Sequence, residues 1–431
     1  MVERPDLAEL GSTGLSRSGG TVTEEFLRAL QGSKGAKVYR EMNDNDPVVG
    51  AMLFGFDKII GRLDWHVEPC EDTPRAHTYA QFVQSCMDDM SDSWDATLSS
   101  ILSMLPYGWS LHELVYKVRA GDSADPSRRS KYDDYRVGWR KWAVRAQETL
   151  QQWMFDEHGG IQGMIQNAPQ GGLARIPIDK ALLFRTTTNR NNPEGRSLLR
   201  NAYRPWWYKH RIEETEAVGI ERDLAGLPVA WVPPEILSTN ATPAERALLA
   251  SITEIIQNVK RNEQEGVVWP NAYDENGHRL YDLTLLSAAG TRQFDTNTII
   301  QRYDQRIAMS LLSDFILLGS DRVGSFALGA SKIDLWTMAV DAIAKSIAEV
   351  VNTHAIPRLL KLNGMDTAMS PLLVYGEVSH VDLVEIATYV KSLTDAGVIV
   401  PDAALDAHMR ELASLPAAEA PDMIADPEND L

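Results

Sequence analysis

Residues 294–364 constrain this chain more than any other stretch. Ile300, Tyr303, Ile307, Leu311, Phe315 and Leu318 step by three and four, which places them on one face of a helix. Asp295 and Thr296 supply N-cap chemistry ahead of it. A helix over 296–318 would run roughly 35 Å at 1.5 Å per residue. The stretch 319–325, Gly-Ser-Asp-Arg-Val-Gly-Ser, is too polar and glycine-rich to continue that helix. A second helix is predicted over 331–362, with Ile333, Trp336, Val340, Ile343, Ile347, Val350 and Val351 as its apolar stripe. Pro357 should kink it or split off its last turn, and Asn363-Gly364 closes it. Taken alone, such a pair reads as a hairpin inside an α-rich domain, so the neighbouring segments decide what it is for.

The chain of 431 residues is long enough for two or three domains around a sizeable core. Its 44% hydrophobic and 24% charged content is that of a soluble globular protein. No apolar run approaches the ~20 residues of a membrane helix, and the first residues lack the plan of a signal peptide. Cys70 and Cys86 are the only cysteines and are not at metal-ligand spacing, so a reducing, cytosolic compartment is expected. The net charge of −18 disfavours a conventional nucleic-acid binder, which needs Lys and Arg against phosphate. It is compatible with a surface past which DNA must slide without sticking.

Read in order, residues 1–40 form an arm rich in Gly, Ser and Thr. Helical periodicity runs over 38–63, with Asp46-Pro47 as a helix start. A strand follows over 63–69, then helices over 74–90 and over 94–105, the latter stopping at Pro106. Strands are predicted over 107–118, 137–144, 152–156, 161–166 and 181–185, with a hairpin turn at 156–160. The region 41–190 is thus mixed α+β with mostly antiparallel pieces. A long helix reaches Ala225 and stops at Gly226. Beyond it, strands at 227–232, 266–270 and 281–286 surround a helix over 245–259 that opens on the capping box Thr242 to Glu245. A strand at 372–375, helices over 381–396 and 401–415, and an acidic, disordered tail from 416 complete the chain.

Little of this carries catalytic chemistry. Gly319-x-x-x-x-Gly324-Ser325 has the glycines of a P-loop, but Ser325 stands where the phosphate-binding Lys belongs and Phe326 where the magnesium-binding hydroxyl belongs. His112 and Glu113 are neighbours on a strand and face opposite ways, so they form no dyad. His158 and His354 read as structural or exposed. The acid pairs Asp133-Asp134 and Glu213-Glu214 read as solvated surface. No metal site and no cofactor is expected. The rings Tyr203, Trp206, Trp207 and Tyr208 lie among Arg204, Lys209, His210 and Arg211. A base-stacking platform is one reading. Anchoring of a helix to its own domain or to a neighbouring subunit is the other, and the preferred one.

The order of these parts resembles the portal proteins of tailed bacteriophages, in particular the Mu-type branch. Gly195-Arg196-Ser197-Leu198-Leu199-Arg200 opening a long helix and Gly226-Leu227-Pro228 closing it carry the likeness. So do Gly324-Ser325-Phe326-Ala327-Leu328-Gly329 after the second long helix and Tyr107-Gly108-Trp109-Ser110 with Glu113. The similarity spans about 40–380. It implies an arm (1–40), a wing (41–198), a first stem helix (199–225), a clip (226–293) and a second stem helix (294–318). A tunnel loop (319–330), a tunnel helix returning to the wing (331–364), a C-terminal strand and crown helices (365–415) and a tail (416–431) follow.

The resemblance further implies a homo-oligomeric ring of twelve at one capsid vertex, assembled in the host cytoplasm. Double-stranded DNA would pass through it during packaging and ejection. Terminase, then a head–tail adaptor, and major capsid and scaffold proteins would be its partners, with no membrane. Ser320, Asp321, Arg322, Val323, Gly324 and Ser325 would face the DNA. Lys260, Arg261, Asp274, Glu275 and Arg279 would meet partners at the clip. Trp206, Trp207, Tyr303 and Arg306 would build the stem interface. The chain is expected not to be an enzyme. The alternatives are a metal-dependent enzyme with a site built from scattered acids, and a head–tail adaptor, for which the chain is long.

Overall fold

The structure is a computed structural model and describes residues 9, 11–225, 227–260, 268–286, 295–311 and 326–377. A small hairpin, β1 (Arg17–Ser18) and β2 (Thr21–Val22), leads into α1 (Gly32–Asn45) and α2 (Pro47–Gly61). Then come β3 (His66–Glu68), α3 (Pro74–Asp88), α4 (Trp94–Ile101) and the short α5 (Met104–Tyr107). Strands β4 (Trp109–Val118), β5 (Val137–Arg145), β6 (Leu150–Phe155), β7 (Ile161–Asn167), β8 (Leu173–Pro177) and β9 (Ala181–Arg185) form the centre. The long α6 (Tyr203–Ala225) follows, then β10 (Leu227–Trp231), α7 (Pro243–Lys260), β11 (Asp282–Leu286) and α8 (Thr296–Ser310). The described chain ends with α9 (Phe326–Val350), a π-helical turn (Val351–Ala355), α10 (Ile356–Leu362) and β12 (Leu372–Val374). The class is α+β, and every described strand pairing is antiparallel.

The sheet β5-β4-β9 lies at the middle of the molecule because its two faces are both apolar. Side chains alternate along β4. Leu114 faces the helical side, where α2, α3, α4, α9 and α10 supply Ile60, Val83, Ile101, Ile347 and Leu359. Trp109 and Leu111 face the other way, onto Trp153, Met164 and Ile176 of the sheet β6-β7-β8. A separate cluster ties α1 and α2 to α6 and α8 through Met42, Val49, Leu199, Trp206 and Ile307. The α7, β10 and β11 segment is a small module on the far end of the long helices, and among the described strands β10 pairs with β11 alone.

Two asparagines extend strands by proxy. Asn363 accepts from Val137 N (2.9 Å) and donates to Val137 O (2.9 Å). Asn352, inside the π-helical turn, does the same for Leu373 (2.7 and 3.0 Å). Each amide satisfies a backbone donor and acceptor that would otherwise be left over at a sheet edge.

Several boundaries differ from the sequence reading. The first helix begins at Gly32 rather than at 38. The helix expected over 94–105 breaks at 102–103, and Pro106 lies inside α5, where Gly108 at φ 93° ends the turn. Strand β8 is an addition to the expected strands, and 268–270 is not a strand. The first stem helix is expected from 199, but 198–200 is a single 3₁₀ turn and α6 starts at Tyr203. The second is expected to reach 318. The described helix closes at Ser310, with Leu311 as its cap, and 312–325 lie outside the described residues. Of the loop expected over 319–330, residues 326–330 are helical, inside α9, and 319–325 lie outside the described residues. The helices expected over 381–396 and 401–415 also lie outside the described residues. Asp46, Thr242 with Glu245, and Asp295 cap their helices as expected.

Candidate functional site

The two sequence stretches Tyr107–Ser110 and Gly195–Arg200 meet in one joint. Gly108 O accepts from Thr186 N (3.0 Å) and Thr186 Oγ1 (3.2 Å), and Ser197 Oγ donates to Pro106 O (2.5 Å). Gly108 and Gly195 lie back to back. A Cβ on Gly195 would stand 2.3 Å from Gly108 O, and one on Gly108 would stand 2.4 Å from Glu194 O. Both have positive φ, 93° and 52°. Close backbone approach and left-handed conformation each call for glycine. Ser197 then caps the 3₁₀ turn through Leu199 N (3.0 Å), which drops Leu199 into the core below α6.

α6 leaves this joint beside α8. Lys209 is the hub between them. Its Nζ lies 2.6 Å from Asp304 Oδ1 of α8 and donates to Asp46 Oδ2 at 3.0 Å. Asp46 Oδ1 meanwhile accepts from Val48 N and Val49 N at the start of α2. The side chains of Lys209 and Asp46 are 4% and 3% exposed, so the charges are buried. Burial alone would lower the Lys209 pKa. The hydrogen bonds and charges of Asp304 and Asp46 outweigh it and leave the pKa raised. The acid–base–acid set therefore fixes where the helix pair leaves the α1–α2 body.

The aromatic residues divide by face. Trp206 points inward, 7% exposed, and stacks on His210 at 5.9 Å. It is an anchor to its own chain. Trp207 is 40% exposed, with Arg211 over its ring. Tyr208 stacks on Tyr303 at 6.1 Å, and Arg302 and Arg306 lie over the Tyr303 ring. Val218 and Ile220, farther along α6, are exposed as well. Tyr303 and Arg306 thus fall beside Tyr208, while Trp206 falls on the opposite side.

In the α7 module, Asp274 closes a turn by accepting from Asn276 N (2.9 Å) and His278 N (2.7 Å), with Gly277 at φ 84°. Glu275 and Arg279 are exposed on this turn, and Lys260 is the last residue of α7. Arg261 and the set Ser320, Asp321, Arg322, Val323, Gly324 and Ser325 lie outside the described residues.

The sequence reading missed two features. Asp134 is not free surface: it pairs with the buried guanidinium of Arg119, which lies over the rings of Phe82 and Tyr132. Ser110 and His112 are two apart on β4, hence on one face. Ser110 Oγ and His112 Nε2 are 2.7 Å apart in the core, and burial pushes the imidazole down to about 4. The set is sealed from solvent and is structural.

A cavity of about 430 Å³ lies under the N-terminal arm, lined in part by Tyr39, Tyr107, Arg190, Glu194 and Arg200. Glu25 clamps the arm to Arg200. Burial pushes the Glu194 carboxyl up to about 7, against the donated indole N–H of Trp153 (3.2 Å). Its folded pKa exceeds the unfolded value of about 4.3, so its contribution is complete at low pH and is lost as pH rises through 7. Glu194→Gln should therefore gain on wild type between pH 4.5 and 7.5, by up to about 3 kcal/mol. Urea unfolding across that range checks it; a constant difference would contradict it.

Comparison with known proteins supplies the class. Among solved structures, a chain in the neck of an empty gene transfer agent particle, computed with C6 symmetry, has a TM-score of 0.56 at 12% identity. The match covers 94% of this chain and 98% of that one. A chain of the native particle's neck computed with C12 symmetry gives 0.52 at 12% identity, over 89% and 94%. One from the native gene transfer agent virion gives 0.51 at 11%, over 94% and 97%. The fold is thus one found in gene transfer agent particles. The family profile described as the portal protein of Mu bacteriophage matches residues 36–411, and the chain belongs to that family of portal proteins. No curated protein matches it. The metal-enzyme alternative gains no support: among the described residues no group of three or more His, Cys, Asp or Glu side chains could hold a metal ion.

Proposed function

We propose that this phage portal protein assembles as a homo-oligomeric ring of twelve at one capsid vertex and conducts double-stranded DNA into and out of the head. The observation that carries it is the family match over 36–411. The C12 symmetry of one similar neck supports the ring number. The regions implied by the resemblance, wing, paired stem helices, clip, tunnel and crown, remain the proposed division. In it α6 and α8 are the stem, the α7 module is the clip, and α9 is the tunnel helix. Among the described residues no helix is long and apolar enough to cross a membrane. Portal proteins are structural, and no catalytic step is proposed.

The charge suits the task. Each copy carries −18, so the ring wall repels phosphate and lets duplex DNA move with little adhesion. Arg322, a lone base in the polar stretch 319–325, would give a brief contact at the narrowest point. Terminase and then an adaptor would dock at the clip, around Lys260, Arg261, Asp274, Glu275 and Arg279. Major capsid and scaffold proteins would surround the wing.

Reconstituted heads test this. Heads built without the chain should stay empty, and adding it should restore nuclease-protected DNA. Arg322→Glu should slow filling more than Arg322→Ala. Equal filling with and without the chain would overturn the proposal, and wild-type rates for both variants would remove the role of Arg322.

A further inference from the structure

Among the described residues the buried cations are paired. Lys209 has Asp46 and Asp304, Lys117 has Asp89 at 2.9 Å, and Arg119 has Asp134. One cluster breaks the pattern. Arg185 ends β9, whose outer edge pairs with no strand among the described residues; the π-helical turn packs beside that strand, and α10 reaches it through Arg358. From them His354 and Arg358 project one turn apart. Arg358 donates to Ala181 O (2.7 Å), and Arg185 donates to Asn191 Oδ1 and Asn192 O (both 3.1 Å). Each guanidinium has five N–H donors, so most are left over.

Among the described residues no carboxylate lies within ion-pair distance of Arg185, Arg358 or His354. Asp179 acts on Arg358 only from farther off. Burial, and then mutual repulsion in the case of His354, lowers the pKa of all three groups. Buried charges are ordinarily paired, because an unpaired one forfeits its hydration. In a chain with 60 acids against 42 bases, two half-buried guanidiniums beside an exposed imidazole, with no acid against them among the described residues, stand out.

We propose that this cluster receives a carboxylate from a second copy of the chain and forms part of the contact between neighbours in the assembly. It rests on the ring reading above. The fit is one of charge and shape. A surface at −18 repels DNA but offers many carboxylates to a neighbour, and a recessed pair of guanidiniums suits one inserted side chain better than a continuous phosphate backbone. A ring contact is heterologous, so every copy supplies both the cations and the acid.

The test is mass photometry of wild type, Arg185→Gln/Arg358→Gln and Arg185→Lys/Arg358→Lys over a dilution series. The Gln pair should need about tenfold more protein for half-assembly, and the Lys pair should stay close to wild type. Removing unpaired charge should leave monomer stability unchanged or higher. Should the Gln pair not fold, Arg358→Glu alone is measured, with the same expectation. Assembly of the Gln pair equal to wild type overturns the proposal while leaving the ring intact. If that variant instead assembles normally but loses retention of a DNA duplex, the anion is phosphate and the proposal is wrong. Wild type that never forms a ring defeats the ring reading itself, and this contact with it.

Discussion

Lys209→Met is expected to lower the unfolding free energy by about 3–5 kcal/mol, the usual cost of orphaning a buried charge. The substitution leaves Asp46 and Asp304 facing each other without the ammonium between them. Asp46 is the more exposed to this loss, since its other oxygen caps α2 and cannot turn away without uncapping that helix. Adding Asp46→Asn and Asp304→Asn should recover most of the loss, because Asn keeps the cap and no charge remains to be paired. Denaturant unfolding of the single and triple variants measures both. A single variant within about 1 kcal/mol of wild type would mean that the ion set does not hold the helix pair.

Gly195→Ala should cost about 2–5 kcal/mol. Left-handed backbone with a Cβ contributes roughly 1–2 kcal/mol, and forcing that Cβ against a carbonyl adds about 1–3 kcal/mol. Neither partner can yield cheaply, because the 2.3 Å neighbour is the backbone oxygen of Gly108 rather than a side chain. Gly108→Ala should behave alike. Gly364 is the control: its φ is 64°, but a Cβ added there would meet no atom within 4 Å. Gly364→Ala should therefore cost only the conformational part, about 1–2 kcal/mol. Thermal unfolding of the three variants separates the two terms; equal losses at all three would show that contact at the joint plays no part.

Local signals explain what was legible in the chain. Asp46-Pro47, the Thr242–Glu245 box and Asp295 act within a few residues, and each caps its helix. The strand-like runs of β4, β5 and β9 are legible for the same reason. The failures are nonlocal. Gly32-Ser33-Lys34-Gly35 lacks helix propensity, yet α1 starts there, and Gly35 lies too close to Leu30 O for any larger residue. The Lys209 set joins positions far apart in sequence, so no spacing could show it. Trp206 and Trp207 are adjacent and look equivalent, but only the fold sends one into the core and leaves the other exposed.

The most direct measurement of the central claim is the solution mass of the purified 47.9 kDa chain, with negative-stain images of the same fraction. The expected result is a closed ring of twelve copies, about 575 kDa, with a central opening wide enough for duplex DNA. A compact dimer without an opening, at every protein and salt concentration tried, would contradict it.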